Sequence, residues 1–463
     1  MKNYKWTPAV LISVALLSAC DDEKEYEIYQ TPDIAYEQNV QSMEFAGNVT
    51  SAYQTLKITS ARHTVLTVNK DWTNPSIVEF TPHYDFRYDF LPDASLIDRT
   101  TTAHISVDGV EKGTLKIHQT PADPGFLGIG WNLGNHFETS DMSWGYWDGA
   151  TPTAALYQNL ANCGFSTVRI PVTWSAHMNS MFQIDASFMA EVLENVDNAL
   201  AAGLNVIINT HHDVFETTLG AAIASPADSA YWATMITNTW TQIATAMADR
   251  SQKLIFETFN EVHDGDNWST DNEDLFEAMN NWNQIAVNAI RATGGNNATR
   301  LIGIPGYACN ADMTLAHLEL PNDPGNNLAV AVHSYDPYNF CIETSTNSWG
   351  SDAEKAAIKQ FMYNITDQYL NNGIKVYIGE FGCCQRENPV FEHYRQEWLY
   401  YFTRMARTYG LSLFLWDNMA LGGGKESHAY IDHNTGMFVN DAAVDAYKNM
   451  YDAYFVLPPK EED

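Results

Sequence analysis

The chain has 463 residues, 45% hydrophobic and 13% aromatic, enough for one large domain plus a smaller one. Its 57 acidic and 25 basic side chains leave a formal charge of −32. That charge disfavours nucleic acid, anionic membrane surfaces and polyanionic substrates, since each would be repelled, and it suits a neutral polymer or plain solubility.

Residues 1–20 carry Lys2 and Lys5, an apolar run over 9–17, then Ser18-Ala19-Cys20. A basic start, a short apolar core and small residues before a cut describe a secretory signal, too short to persist as a spanning anchor. Leu17-Ser18-Ala19-Cys20 resembles a bacterial lipobox, in which Cys20 becomes the lipidated first residue. The acidic run 21–25 resembles the tether that sends some Gram-negative lipoproteins to the cell surface. The expectation is therefore a lipoprotein signal over 1–20 and an outer-membrane location held by lipid alone; secretion with soluble release is the alternative. No later apolar stretch approaches membrane length.

Residues 21–120 start with that tether and continue as short alternating segments, 55–60, 64–68, 103–107 and 114–119, with Asp108-Gly109 as a tight hairpin signal between the last two. This pattern predicts an all-β immunoglobulin-like sandwich. Its closing stretch, ending in Lys116-Ile-His-Gln-Thr-Pro121, is similar to BACON-type modules of gut bacterial glycan enzymes. A spacer between lipid and the following domain is the expected role, with polysaccharide binding as the alternative. Pro121-Ala-Asp-Pro-Gly125 is the linker.

From 126 to 463 apolar strands alternate with helical stretches. Eight strand candidates occur, at 127–132, 167–171, 204–209, 253–259, 300–305, 328–332, 374–378 and 411–415. Most are rich in Val, Ile and Leu without clean alternation, as strands buried on both faces are. Amphipathic segments such as 189–202 and 273–292 lie between them, the latter ending before Gly294-Gly295. Eight strand-plus-helix units in about 335 residues is the arithmetic of a (β/α)8 barrel; a doubly wound open sheet is the runner-up.

Polar residues collect at the C-terminal ends of those strands. Arg169 ends the second, His211 and His212 follow the third, and Asn260-Glu261 ends the fourth. His333 and Tyr335 end the sixth, Glu380 the seventh and Trp416 the eighth. An uncompensated polar group inside a barrel costs on the order of 2–7 kcal/mol, so the set is not a packing accident, although any single member has a structural explanation. Two carboxylates at strand ends are what a retaining glycosidase requires: one protonated to serve the leaving oxygen, one ionised to attack the anomeric carbon. Arg169 and the Tyr335 hydroxyl suit an ionised Glu380. Glu261, with no cation neighbour in sequence, suits a raised pKa and the proton-donor role. Asn260 is placed to hydrogen-bond the sugar 2-hydroxyl, and Trp416 offers a face to the ring. Such a pair needs no metal and no cofactor.

The stretches GIGWNLGN (128–135), TVRIPVTW (167–174), VIINTHHD (206–213), FETFNE (256–261), VHSYDPYNF (332–340), IGEFG (378–382) and WDN (416–418) resemble glycoside hydrolase family 5, and most its subfamily 4 of endo-acting β-glucanases. The resemblance implies Glu261 as acid/base and Glu380 as nucleophile. It implies Arg169, His211, Asn260, His333, Tyr335 and Trp416 as the supporting shell, with His212 as a further member. Two departures stand out: Val262 replaces the proline usual after the acid/base, and His136-Phe137 follows GWNLGN. Both fall on loops expected to face the substrate.

Trp144, Tyr146, Trp147, Trp174, Trp232, Trp268, Tyr338 and Trp349 fall near expected loops, as platforms for a β-glucan or as ordinary packing. Gly422-Gly-Gly-Lys425 lacks the helix start of a phosphate loop and reads as a loop beside the cleft. His211-His212-Asp213 is not read as a metal site, because vicinal strand side chains point apart. Five cysteines besides Cys20 make no disulfide framework. The expectation is a monomeric, retaining endo-β-1,4-glucanase acting on xyloglucan, cellulose-like or mixed-linkage chains, leaning toward the branched polymer. An endo-mannanase, an endo-xylanase, or a non-catalytic glycan-capture lipoprotein are the alternatives.

Overall fold

The structure is a computed structural model that describes residues 36–48, 53–60, 62–68, 77–80, 86–90, 98–139 and 146–455. The expected signal, Cys20, the acidic tether and Trp144 lie outside these residues.

The N-terminal region is all-β. Strands Glu37–Gln38, Gln54–Thr59 and Phe86–Phe90 form one sheet; Ser42–Phe45, Val110–Gln119, Arg99–Val107, Thr64–Thr67 and Ile77–Phe80, in that order, form the other. Leu56, Ile58 and Phe90 of the first sheet share one core with Phe45, Leu66, Ile105 and Ile117 of the second. At the hairpin, Asp108 and Gly109 have φ of 50° and 77°. Two successive positive φ values mark a type I′ turn, whose twist matches that of the strands it joins. The region meets the next one at Asn48, whose Nδ2 donates to Asp123 O (3.1 Å) and whose Oδ1 accepts from Asp123 N (3.0 Å).

Eight parallel strands then close into a barrel, which disposes of the open-sheet alternative. They are β1 (Ile129–Leu133), β2 (Thr167–Ile170), β3 (Asn205–Asn209), β4 (Leu254–Glu257), β5 (Ile302–Asn310), β6 (Leu328–Ser334), β7 (Lys375–Phe381) and β8 (Ser412–Asp417). Closure runs through β8 and β1, with Leu413 opposite Ile129 and Trp416 opposite Asn132. Because side chains alternate along a strand, each strand divides its residues between two cores. Val206, Ile208, Leu254, Phe256, Val330 and Val332 face the surrounding helices. Ile207, Ile255, Ala329, Ala331, Tyr377 and Phe414 fill the interior. One interior step further, β3 and β4 deliver Asn209 and Glu257, which join Arg169 and Asn132 in a polar layer with no solvent exposure.

Strand β7 breaks the alternation. Val332 of β6 pairs with Ile378, yet the next residue, His333, pairs with Glu380, so Gly379 is an extra residue. Val376, Ile378 and Phe381 all face the helices. The bulge is what turns Glu380 inward, a device common beside active sites.

A buried ionic strut ties the loop after β1 to the end of β8. Asp148 accepts from His136 Nδ1 (2.9 Å) and from His433 Nδ1 (2.7 Å), while His433 Nε2 lies 3.5 Å from Asp417 Oδ1. Asp417 also accepts from Trp131 Nε1 at 2.9 Å. Burial opposes a charged His433, but the two aspartates prevail and lift its pKa to about 9. Among the described residues no helix is long and apolar enough to cross a membrane.

Candidate active site

Glu380 stands at the C-terminal end of the barrel with both oxygens engaged. Oε1 accepts from Arg169 Nη1 at 2.6 Å, and Oε2 accepts from the Tyr335 hydroxyl at 2.9 Å. Burial, then the charges of Glu380 and Glu261, push the Tyr335 pKa well above its ordinary value, so the hydroxyl stays a donor. Arg169 itself never reaches solvent. Its Nη1 also donates to Asn132 Oδ1 (3.0 Å), its Nη2 to Asn260 Oδ1 (2.9 Å), and Nε and Nη2 converge on Glu257 Oε1 at 3.1 and 2.7 Å. Glu257 is further held by Asn209 Nδ2 (3.0 Å) and the Tyr377 hydroxyl (2.7 Å). Burial disfavours its charge, but Arg169 outweighs that and lowers its pKa. Gly303 makes the Tyr377 contact possible: a β-carbon there would sit 2.0 Å from the hydroxyl.

Glu261 lies across from Glu380 in a different environment. One ligand-type atom from each of Glu261, His333 and Glu380 lies within 4.8 Å of the other two. His333 Nδ1 is 2.7 Å from Glu261 Oε1 and 3.7 Å from Glu380 Oε2. Burial lowers the His333 pKa to about 4, and its Nε2 has no protein partner among the described residues. The ring is therefore neutral and hydrogen-bonded to Glu261 through Nδ1. For Glu261, burial first and the charge of Glu216 second outweigh the nearby cations and raise its pKa to about 7.

The carboxylates and His333 also have the spacing of a divalent-ion site. Their donor set is already occupied, with Arg169 and Tyr335 on Glu380 and His333 on Glu261. The His211 and His212 rings, expected to point apart, instead meet edge to face with centroids 4.4 Å apart, but each has its own partner: His211 meets Asn209, His212 meets Glu216, and Asp213 accepts from Ser175 N.

A cleft of about 750 Å³ opens over the pair, lined among others by His211, His212, Glu261, His333, Tyr335, Glu380 and Trp416. Trp416 lies parallel to His211, with ring centroids 6.0 Å apart. Gly134 leaves room for it, since a β-carbon there would meet the indole at 2.9 Å. Arg169, expected in the substrate shell, is fully buried beneath the cleft; Asn260 lies beside it, 1% exposed and held by Arg169 on one edge and Glu216 on the other. Of the aromatic residues expected at loops, Trp147 (66% exposed), Trp268 (53%) and Tyr338 line the cleft. Tyr146, Trp174, Trp232 and Trp349 pack into the core instead. Val262, His136 and Phe137, expected on substrate-side loops, are buried too; they shape the walls from behind.

Several groups escaped the sequence reading. Glu257 reads as part of an apolar strand, and only its two-residue offset from Ile255 signals that it faces inward. Glu216 and Glu138 lie in loops with no motif. Burial raises the Glu138 pKa to about 7, and its carboxylate caps the backbone N–H groups of Asn135 and His136. In the irregular part of β5, Ala308 and Cys309 have successive φ values of 53° and 49°. Residues other than glycine held there cost on the order of 1–3 kcal/mol each. Ala308 N donates to Val262 O (2.9 Å), which ties this strained turn to the segment just after Glu261.

The family model for cellulase, glycosyl hydrolase family 5, matches residues 131–422. Endoglucanase B of Clostridium cellulovorans is 36% identical over 310 residues, 64% of this chain and 68% of its own length. Endoglucanase A of Clostridium longisporum is 31% identical over 350 residues, 70% of this chain; the match spans 65% of that relative, slightly under two thirds. Among solved structures, a Bacteroidetes-affiliated cellulase linked with a polysaccharide utilization locus superposes with a TM-score of 0.69 at 36% identity, covering 72% of this chain and 92% of that one. A broad-specificity endoglucanase of subfamily 4 from Bacteroides salanitronis gives 0.67 at 36% identity, covering 72% and 94%.

Proposed function

Since the chain belongs to glycosyl hydrolase family 5, we propose that it is a retaining, endo-acting β-1,4-glucan hydrolase with Glu380 as nucleophile and Glu261 as acid/base. The observation that carries this reading is the close approach of the two carboxyl groups, with oxygens within 4.8 Å, in contrasting environments. Retaining enzymes hold their pair at about 5–5.5 Å, whereas inverting ones leave about 6.5–9.5 Å for a water.

In the first step Glu380 attacks the anomeric carbon while Glu261 protonates the departing oxygen. Arg169 and Tyr335 hold the Glu380 carboxylate in place, one on each oxygen. His333 Nδ1 is hydrogen-bonded to Glu261 Oε1, which leaves Oε2 free to face the leaving group. In the second step Glu261, now ionised, takes a proton from water, which attacks the glycosyl-enzyme ester and restores Glu380. Trp416 forms the floor beneath the reacting sugar, and Asn260 serves its 2-hydroxyl. Trp147, Trp268 and Tyr338 supply stacking faces along a chain that continues in both directions. The sandwich is a spacer and Cys20 its lipid anchor at the cell surface, a reading supported by sequence pattern alone.

Reducing-end release from xyloglucan, carboxymethyl-cellulose, mixed-linkage glucan, mannan and xylan by the wild type, Glu380→Gln and Glu261→Gln tests the proposal. Turnover of a glucan by the wild type and its collapse in both variants is expected. Equal, near-zero release from all three proteins would favour glycan capture without cleavage, and faster release from mannan or xylan would reassign the substrate.

A further inference from the structure

Glu216 has no place in the two-step mechanism above, yet it organises the acid/base side of the site. Its side chain is 10% exposed and bridges two groups. Oε1 accepts from Asn260 Nδ2 at 3.2 Å, and Oε2 lies 2.8 Å from His212 Nδ1. On its other edge, Asn260 accepts at Oδ1 from Arg169 Nη2 at 2.9 Å. A guanidinium only donates and a carboxylate only accepts, so the Asn260 amide is fixed between them and cannot flip. One Nδ2 hydrogen goes to Glu216, and among the described residues the other has no protein acceptor.

Two further features keep Glu216 in that role. His212 is its counter-ion: burial pulls the imidazole pKa down, but the hydrogen bond and charge of Glu216 outweigh it and lift the value to about 9. The Glu216 loop is also laced to the segment after Glu261, where the chain departs from its family. His263 N donates to Glu216 O (2.7 Å), Gly265 N to Thr217 O (2.9 Å) and Gly220 N to Asp264 Oδ1 (2.9 Å).

We propose that Glu216 is a positioning residue for the sugar 2-hydroxyl, acting by locking the Asn260 amide in the orientation that leaves an N–H for that hydroxyl. The contact tightens as the oxocarbenium-like transition state forms, so losing the lock penalises turnover more than ground-state binding. The proposal rests on the reading of Glu261 and Glu380 as a retaining pair with Asn260 serving the 2-hydroxyl.

The test compares kcat/KM on an aryl β-cellobioside and on its analogue lacking the 2-hydroxyl of the sugar that bears the aryl group. Taking the ratio within each protein cancels the intrinsic reactivity difference. Wild type, Glu216→Ala, Glu216→Gln and Asn260→Ala are assayed, with Glu216→Met, similar in length but without an acceptor, in place of the alanine variant if that does not fold. The expected result is a loss of about tenfold or more on the parent substrate in Glu216→Ala with little loss on the deoxy analogue, so that the ratio narrows toward that of Asn260→Ala. Glu216→Gln, whose amide oxygen still accepts from Asn260, retains most of the wild-type ratio. A Glu216→Ala ratio equal to wild type, with both substrates slowed alike, overturns the proposal and leaves Glu216 a structural residue. If Asn260→Ala has the wild-type ratio, the underlying assignment of Asn260 fails and this inference fails with it.

Discussion

Glu257 takes the guanidinium of Arg169 on a single oxygen, at 3.1 and 2.7 Å, one interior layer beneath the carboxylate pair. Arg169 is thus shared between a buried structural carboxylate and Glu380. Removing it strands Glu257 as an unpaired buried charge, which costs roughly 3–5 kcal/mol. Arg169→Met is expected to lower the denaturant midpoint accordingly and to abolish turnover. Adding Glu257→Gln restores part of the stability but none of the activity, because Glu380 still lacks its partner. Independent, additive effects of the two substitutions on stability would contradict the shared role.

The proton-donor role of Glu261 sets the basic limb of the pH profile. With its pKa raised to about 7, principally by burial, the acid form disappears as pH climbs through that value. The limb of kcat/KM is expected near 7. It vanishes in Glu261→Ala on a dinitrophenyl glycoside, whose leaving group needs no proton. A limb that survives there belongs to another group.

His433 links stability to pH in the alkaline range. Its pKa is raised to about 9 from 6.5, so the folded protein holds a proton that the unfolded chain releases. That contribution is full below 6.5 and is lost as pH rises through about 9; His212, raised likewise, acts in the same direction. Tm is expected to fall between pH 7 and 9, and less steeply in His433→Asn. Identical slopes in the two proteins would remove His433 from the account.

Gly379 has almost no room for a side chain, since a β-carbon would approach His333 Nε2 to 3.0 Å. Gly379→Ala therefore displaces the ring that orients Glu261. A sub-ångström misplacement of this kind costs on the order of ten- to a hundredfold in rate. The expected phenotype is a fall in kcat with little change in the unfolding midpoint, and wild-type kcat would refute it.

Trp147 and Trp268 are the most exposed rings on the cleft. Substituting either with alanine is expected to raise KM on a long glucan about five- to tenfold, roughly the worth of one stacking contact. Tm and turnover of a short aryl glycoside should change little, as stability data and two-substrate kinetics can check.

The sequence made the barrel and the cleft-facing groups legible because parallel strands buried on both faces leave an apolar signature, and polar residues at their ends break it abruptly. Strand ends are not legible where the ladder becomes irregular. Strand β7 was expected to stop at 378 but runs through Phe381, and β4 stops at Glu257 rather than 259. Arg169 was legible as a partner for Glu380, but its tie to Glu257 was not, because two interior residues 88 positions apart meet only once the barrel closes. Loop residues were least legible. Nothing local separates Trp268, which flanks the cleft, from Trp174, which packs under it and donates to Asn209 O.

The extra residue in β7 makes the chemistry of that strand a matter of reading frame. Were the ladder to run regularly through Gly379, the two faces beyond it would swap, aiming Phe381 into the lumen and burying the nucleophile against the helical shell. An inserted residue that joined the ladder at this point would have the same effect, whereas loss of the extra residue itself would leave the directions beyond it unchanged.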